Sequence, residues 1–108
     1  MSDKRPIGVF DSGLGGLIVV KELMKVLPQE QIVYYGDTAR VPYGTKSKDA
    51  IIQFSIENAT ELLKHDVKMV VVACNSSASY SLDILRSMFK VPIVGVIESG
   101  VALSLIHI

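Results

Sequence analysis

The residue best suited to chemistry by type and position is Cys74, the only cysteine among the 108 residues. A single cysteine excludes an intramolecular disulfide and any Cys-x-x-Cys metal or redox motif. Cys74 follows the nearly all-apolar run 67–73 and precedes a segment of helical period. At such a position the free amides and the helix dipole favour thiolate over thiol. Cys74 is therefore a candidate reactive thiol, and the alternative is an inert buried side chain.

Two aspartates, Asp11 and Asp37, also follow apolar runs and are candidate general bases, although either could instead cap a turn or a helix. Asp11 ranks higher because it adjoins a glycine-rich turn. Gly13-x-Gly15 before a helix suggests dinucleotide binding, but the third glycine position is Ile18. A carboxylate also stands where a pyrophosphate would need free amides, so the sequence disfavours a dinucleotide.

Other polar segments accompany these residues. Asn75–Ser77 offers short polar groups that can orient a small anion or cap a helix, and Pro42–Gly44 is either a rigid pocket wall or an ordinary loop. No acid or histidine adjoins Cys74 in sequence, so a Cys–His pair is not indicated, although His65 could approach in space. Neither His65 nor His107 has metal-ligand spacing.

Strand-like runs alternate with segments of helical period, which predicts an α/β fold with a mostly parallel sheet and flanking helices. Ligands bind beyond the carboxyl ends of such strands, so the polar segments above are expected on one rim. The predicted strands cover residues 5–10, 31–36, 67–73 and 92–97.

A helix with one apolar face is predicted after each of the first three strands. Pro28 ends the first helix, and Ser47 is the predicted N-cap of the second, which ends near His65. The predicted apolar faces are Leu17, Val20, Met24 and Leu27 in the first helix, Ile52, Ile56, Ala59 and Leu63 in the second, and Ala78, Leu82, Leu85 and Phe89 in the third.

Composition excludes several classes of function. With 49% apolar residues and a net charge of zero, the chain is one globular domain or part of one, without an electrostatic footprint for nucleic acid or anionic membranes. Its longest purely apolar run, Met69 to Cys74, is far shorter than the roughly 20 residues of a membrane helix. Because no signal peptide is recognisable either, we expect a cytoplasmic protein without nucleic-acid or membrane partners.

Three segments resemble the motifs of the glutamate racemases, in the aspartate/glutamate racemase superfamily. They are IGVFDSGLGG at 7–16, YGDTARVPYGTK at 35–46 and VACNS at 72–76. The resemblance extends over about residues 7–100, and three motifs in register are far more specific than one glycine turn. It implies the first half of a two-domain, pseudo-symmetric α/β racemase fold.

The resemblance also implies an activity: interconversion of L- and D-glutamate without a cofactor, supplying D-glutamate for peptidoglycan. Two cysteines on opposite faces of the substrate exchange its α-proton, one as thiolate and one as thiol. Cys74 matches the base for D-glutamate, and Asp11 would assist its proton transfers. The full-length enzyme could be a homodimer. Positions that line the substrate are matched by Ser12, Pro42, Tyr43, Gly44, Asn75 and Ser76.

The chain departs from the family pattern in its length and in two short segments. Ser76 and Ser77 stand where the family commonly has Thr-Ala, and Ser99 replaces the proline of a common Glu-Pro-Gly. The family's second cysteine, in a Cys-Thr-His motif of the second α/β half, has no counterpart in residues 1–108. We therefore expect no useful racemisation by this polypeptide alone.

We interpret residues 1–102 as an incomplete N-terminal α/β racemase domain. The tail 103–108, LSLIHI, resembles the translation of a transposon-end adaptor used in sequencing libraries and is treated as lying outside the domain. Two alternative functions stay open. One is a non-catalytic α/β module that binds a small anion at the same rim, and the other is a different amino-acid racemase, such as an aspartate racemase.

Overall fold

The computed structural model describes residues 4–12, 16–40 and 43–95. Within these ranges, four parallel strands form one sheet in the order β2-β1-β3-β4, and helices alternate with the strands along the chain. The predicted α/β fold class is confirmed. The strands are β1 (Ile7–Asp11), β2 (Ile32–Gly36), β3 (Met69–Val72) and β4 (Ile93–Gly95), and the helices are α1 (Gly16–Val26), α2 (Lys48–Leu63) and α3 (Asn75–Met88).

The sheet is covered on both faces, which explains the uninterrupted apolar sequence of β3. Successive side chains of a strand point to opposite faces, so Val70 and Val72 join the core cluster that contains α2 and α3 side chains. Met69 and Val71 join the cluster on the opposite face, together with Leu23 of α1. All four β3 residues are buried, as expected of a strand in the middle of an α/β sandwich.

The apolar face predicted for α1 is confirmed in part. Val20 and Leu27 pack against the core, whereas Leu17 and Met24 are 62% and 59% exposed and Leu23 is buried instead. The reason lies at the start of the helix: a Cβ atom at Gly16 would overlap the carboxylate of Asp11, so only glycine permits this approach to β1. The side of α1 that carries Gly16 and Leu23 therefore faces the sheet.

The apolar face predicted for α2 is also confirmed in part. Ala59 is buried, Ile56 and Leu63 are half-buried and pack against the core, and Ile52 is half-buried. The residues that the helix buries fully are Ile51, Ser55, Asn58, Ala59 and Leu62. Hydropathy misses this face because two of its members are polar. Such side chains are tolerated in a core when they are hydrogen-bonded, and the hydroxyl of Ser55 donates to the carbonyl of Ile51 at 2.7 Å.

The predicted N-cap of α2 is confirmed, since the side chain of Ser47 accepts a hydrogen bond from the amide of Ala50 at 3.1 Å. The predicted face of α3 is largely confirmed, because Ala78 and Leu85 are buried and Leu82 packs against the same core. No helix in the described part of the chain is long and apolar enough to cross a membrane.

The strand order reverses between β1 and β3. From β1 the chain moves outward to β2, whereas from β3 it moves outward in the other direction to β4. The two central strands stay paired to their carboxyl ends, where the amide of Ala73 donates to the carbonyl of Phe10 at 2.9 Å. A crevice beyond such a reversal is where open α/β sheets bind ligands. Asp11 ends β1 and Cys74 follows β3, so the two residues flank the point of reversal.

Candidate active site

Cys74 is the residue at which β3 gives way to α3. It is the N-cap of α3, in extended backbone geometry with φ −100° and ψ 126°, and its carbonyl accepts from the amide of Ala78 at 2.9 Å. Its side chain makes no capping hydrogen bond, and the first turn of α3 carries no acidic residue. The thiol therefore lies beside helix amides whose positive end is not offset by a local carboxylate.

Cys74 is 8% exposed and packs in a small cluster with Tyr43 and Ile51, against which Phe54 is also packed. The structure thus brings together two residues from separate sequence motifs, the cysteine after β3 and the tyrosine after β2. Their neighbourhood is apolar, which excludes much of the water around the thiol.

Asp11 is the last residue of β1, the strand next to β3, and its side chain is buried. Its Oδ1 accepts a hydrogen bond from the hydroxyl of Tyr34 at 2.7 Å. Burial, together with this bond to the Asp11 carboxylate, raises the pKa of Tyr34 to about 12. Tyr34 was not singled out by the sequence, although its place in β2, opposite Val9, puts it on the same sheet face as Asp11.

Asp37, the other candidate base, accepts hydrogen bonds from residues of the loop that follows it. Its Oδ2 accepts from the hydroxyl of Tyr43 and from Nε of Arg40, the latter at 2.8 Å. Burial and the hydrogen bond to Asp37 raise the pKa of Tyr43, which favours the protonated phenol that donates to this carboxylate. Asn58 donates from Nδ2 to the same hydroxyl at 2.9 Å. Arg40 and Asn58 are site-region residues that sequence reasoning missed, because neither belongs to an apolar period or a catalytic pattern.

The remaining predicted site residues are placed as follows. Ser12 is buried directly after β1, whereas Asn75 is exposed and Ser76 half-buried in the first turn of α3. The backbone of Gly44 lies in the 3-10 turn Tyr43–Thr45. Pro42 and the tail 103–108 lie outside the described residues, as do Gly13, Gly15, Ser99 and His107.

His65 does not approach Cys74. It is exposed in the turn after α2, at the end of the sheet where β3 begins, whereas Cys74 follows the end of β3. Among the described residues no group of three or more His, Cys, Asp or Glu side chains could hold a metal ion. The rim instead combines a thiol at a helix N-terminus, a buried carboxylate at the end of the neighbouring strand, and hydroxyl groups, a set suited to moving a proton and binding a small anion.

Two curated proteins are similar to this chain over most of its length. Glutamate racemase from Geobacter metallireducens is 52% identical over 96 residues, which are 89% of this chain and 36% of that protein. The enzyme of the same name from Lactococcus lactis is 49% identical over 98 residues, which are 91% of this chain and 36% of that protein. No family model matches the chain.

Solved structures agree in sequence and in fold. Glutamate racemase from Thermus thermophilus superposes with a TM-score of 0.84 at 52% identity, over 88% of this chain and 37% of that one. The chain matches the N-terminal part of the glutamate racemases. Glutamate racemase from Francisella tularensis, solved in complex with D-glutamate, gives a TM-score of 0.85 at 48% identity over 94% of this chain and 39% of that one. The resemblance to glutamate racemases found in the sequence is confirmed, and the chain spans about 36% of the length of the curated relatives it matches.

Proposed function

We propose that this chain forms one side of the active site of a glutamate racemase, and that Cys74 exchanges the α-proton of glutamate on one face of the substrate. The observation that carries the proposal is the position of Cys74 at the N-terminus of α3, across the strand-order reversal from Asp11. The similarity to glutamate racemases at about 50% identity supports glutamate as the substrate.

Racemisation of an amino acid places two chemical requirements on the site. The α-proton of an amino acid is weakly acidic, so a base must be held close to the carbon, and the charge that develops beside the carboxylate must be stabilised. The Cys74 thiolate would take the proton from D-glutamate, breaking the C–H bond and forming S–H, while donors at the N-terminus of α3 stabilise the anion. A thiol on the opposite face would then donate a proton to the carbon.

The other residues have supporting roles in this proposal. Asp11 would assist the proton transfers of Cys74 from across the crevice. The substrate would be bound through hydroxyl groups, side-chain amides and backbone N–H groups of the rim. The residues that we propose for this binding are Ser12, Pro42, Tyr43, Gly44, Asn75 and Ser76.

The complete enzyme needs more than this chain. We propose that residues 1–102 are the first α/β half, that the second cysteine belongs to another half, and that 103–108 is not part of the domain. The complete enzyme would be cytoplasmic, could form a homodimer, and would supply D-glutamate for peptidoglycan. Sequencing the parent locus through codon 102 and beyond tests the boundary, since genomic DNA that encodes LSLIHI there would refute it.

The test of function uses the whole reading frame that encodes this chain. Purified protein is incubated separately with L-glutamate and L-aspartate, and the D-isomers are measured by chiral chromatography, with the 108-residue polypeptide assayed beside it. We expect D-glutamate from the whole protein only. Preferential formation of D-aspartate would indicate the aspartate branch. If the whole protein binds glutamate and forms neither product, the module is a binding domain and the proposal is wrong.

A further inference from the structure

The hydroxyl of Tyr43 is held from two sides by buried groups of different elements. It donates to Oδ2 of Asp37, where the loop after β2 begins, and it accepts from Nδ2 of Asn58 in α2 at 2.9 Å. Asn58 is 0% exposed, and Asp37 is also buried. Because a phenol donates one hydrogen bond, these contacts fix the rotation of the hydroxyl and, with it, the position of the ring.

Arg40 ties the same loop to α2. Its Nε donates to Asp37 at 2.8 Å, and its guanidinium lies over the ring of Phe54, with Cζ 4.0 Å from the centroid. A second guanidinium nitrogen pairs with Glu57, and the third lies 3.5 Å from Oδ1 of Asn58. A planar fork stacked on an aromatic ring is a role that lysine cannot fill, so Arg40 fixes the Asp37 carboxylate that receives the Tyr43 hydroxyl.

One face of α2 packs against this loop. Ile51, Phe54 and Asn58 are spaced by three and four residues, and the rings of Phe54 and Tyr43 have centroids 5.4 Å apart. An amphipathic helix would be expected to place an apolar residue at the buried position 58, because burying an amide costs free energy unless it is hydrogen-bonded. Asn58 meets that condition through Tyr43.

We infer that Asp37, Arg40 and Asn58 are positioning residues that hold Tyr43 beside Cys74 and so set one wall of the substrate pocket. Tyr43 packs in the same buried cluster as the thiol, which makes it the link between the polar network and the site. The consequence of this positioning for turnover rests on the proposed function.

The experiment uses the whole reading frame with four variants: Tyr43→Phe, Asn58→Leu, the double variant, and Ser55→Ala as the control. Ser55 lies on the same buried face of α2, but its hydrogen bonds go to Ile51 and Ser81. The rate at which iodoacetamide alkylates Cys74 is measured by peptide mass spectrometry, and kcat and KM are measured with both glutamate isomers. Circular dichroism melting curves verify that each variant folds.

Removing the held hydroxyl or the amide that holds it should raise the Cys74 alkylation rate and KM each by about 10-fold, the effect of one net hydrogen bond, with kcat changed less. The double variant should equal the larger single variant, because both changes break the same link. Ser55→Ala should stay within about twofold of the parent. Since Tyr43→Phe keeps the ring and the apolar packing, it remains informative if Asn58→Leu does not fold.

The inference is overturned if Tyr43→Phe leaves both the alkylation rate and KM unchanged, or if the double variant shows the product of the two single effects. The first result would mean that the Tyr43 hydroxyl does not set the position of the ring, and the second that Asn58 acts on the site independently of Tyr43. Failure of the proposed function has a different signature: the parent protein would form no D-glutamate, while the alkylation rates would still decide whether the network positions Tyr43.

Discussion

Two aspartate–tyrosine pairs lie at the carboxyl end of the sheet, and they differ in what surrounds the carboxylate. Asp11 accepts from Tyr34 and lies against the first residue of α1. Asp37 accepts from Tyr43 and forms an ion pair with Arg40 as well. The Asp37 carboxylate therefore has its charge offset and its geometry fixed by the loop, which suits a structural role.

The Asp11 pair has a different place in the fold. It ends one of the two central strands, next to the strand that leads into Cys74, whereas Asp37 follows β2 at the edge of the described sheet. Residue type and position after a strand therefore do not distinguish Asp11, which we propose to be catalytic, from Asp37, which suits a structural role. The two residues differ in strand order and in the neighbouring arginine.

The largest expected effect comes from exchanging each carboxylate for an amide in the whole protein. Asp11→Asn should lower kcat/KM by about 100-fold, the scale of a lost acid–base group. Asp37→Asn keeps an oxygen that can accept from Tyr43, so it should lower kcat/KM by no more than about 10-fold, through KM. Steady-state kinetics with D-glutamate measure both. Equal losses in kcat for the two variants would break the distinction between the pairs.

A second effect concerns stability. Arg40→Met keeps much of the length of the side chain but leaves the buried Asp37 carboxylate without its cation. Since Arg40 is itself 27% exposed, we expect a loss of about 2 kcal/mol in the free energy of unfolding, below the value for a fully buried pair. Urea denaturation measures it. Lys25→Met, which removes only an exposed pair with Glu22, is the control and should change stability little.

The smallest effect is that of Tyr34→Phe, about 1 kcal/mol at neutral pH for one hydrogen bond. The raised pKa of Tyr34, about 12 against 10.0 for an ordinary tyrosine, means that folding favours the protonated phenol. The contribution is therefore complete below pH 10 and is lost as the pH rises through about 12. Denaturation of parent and variant across this range should show a difference that is constant up to pH 10 and then narrows. A difference that grows above pH 10 would contradict the bond to Asp11.

Much of this fold could be predicted from the sequence, and for a definite reason. The strands consist of apolar runs and the helices show helical periods, so element type and order follow from hydropathy. The rotation of α1 about its axis did not follow, because hydropathy does not register the close approach of Gly16 to the Asp11 carboxylate. Part of the buried face of α2 was missed because Ser55 and Asn58 are buried through hydrogen bonds that hydropathy does not register.

The candidate site was predictable in part. Cys74 and Tyr43 come together because both follow parallel strands, which end on one rim. The residues that hold Tyr43 could not be predicted in this way, since Arg40 and Asn58 become neighbours only when the loop folds onto α2. The catalytic roles of Cys74 and Asp11 stay predictions that the experiments above address.

The most direct test of the central claim follows the α-proton itself. The whole protein and its Cys74→Ala variant are incubated with D-glutamate in deuterium oxide, and the loss of the α-proton signal is followed by NMR. We predict that the parent protein replaces the α-proton with deuterium and that the variant does not, while the control Ser55→Ala exchanges at the parent rate. Exchange in Cys74→Ala at the rate of the parent would contradict the assignment of Cys74 as the base.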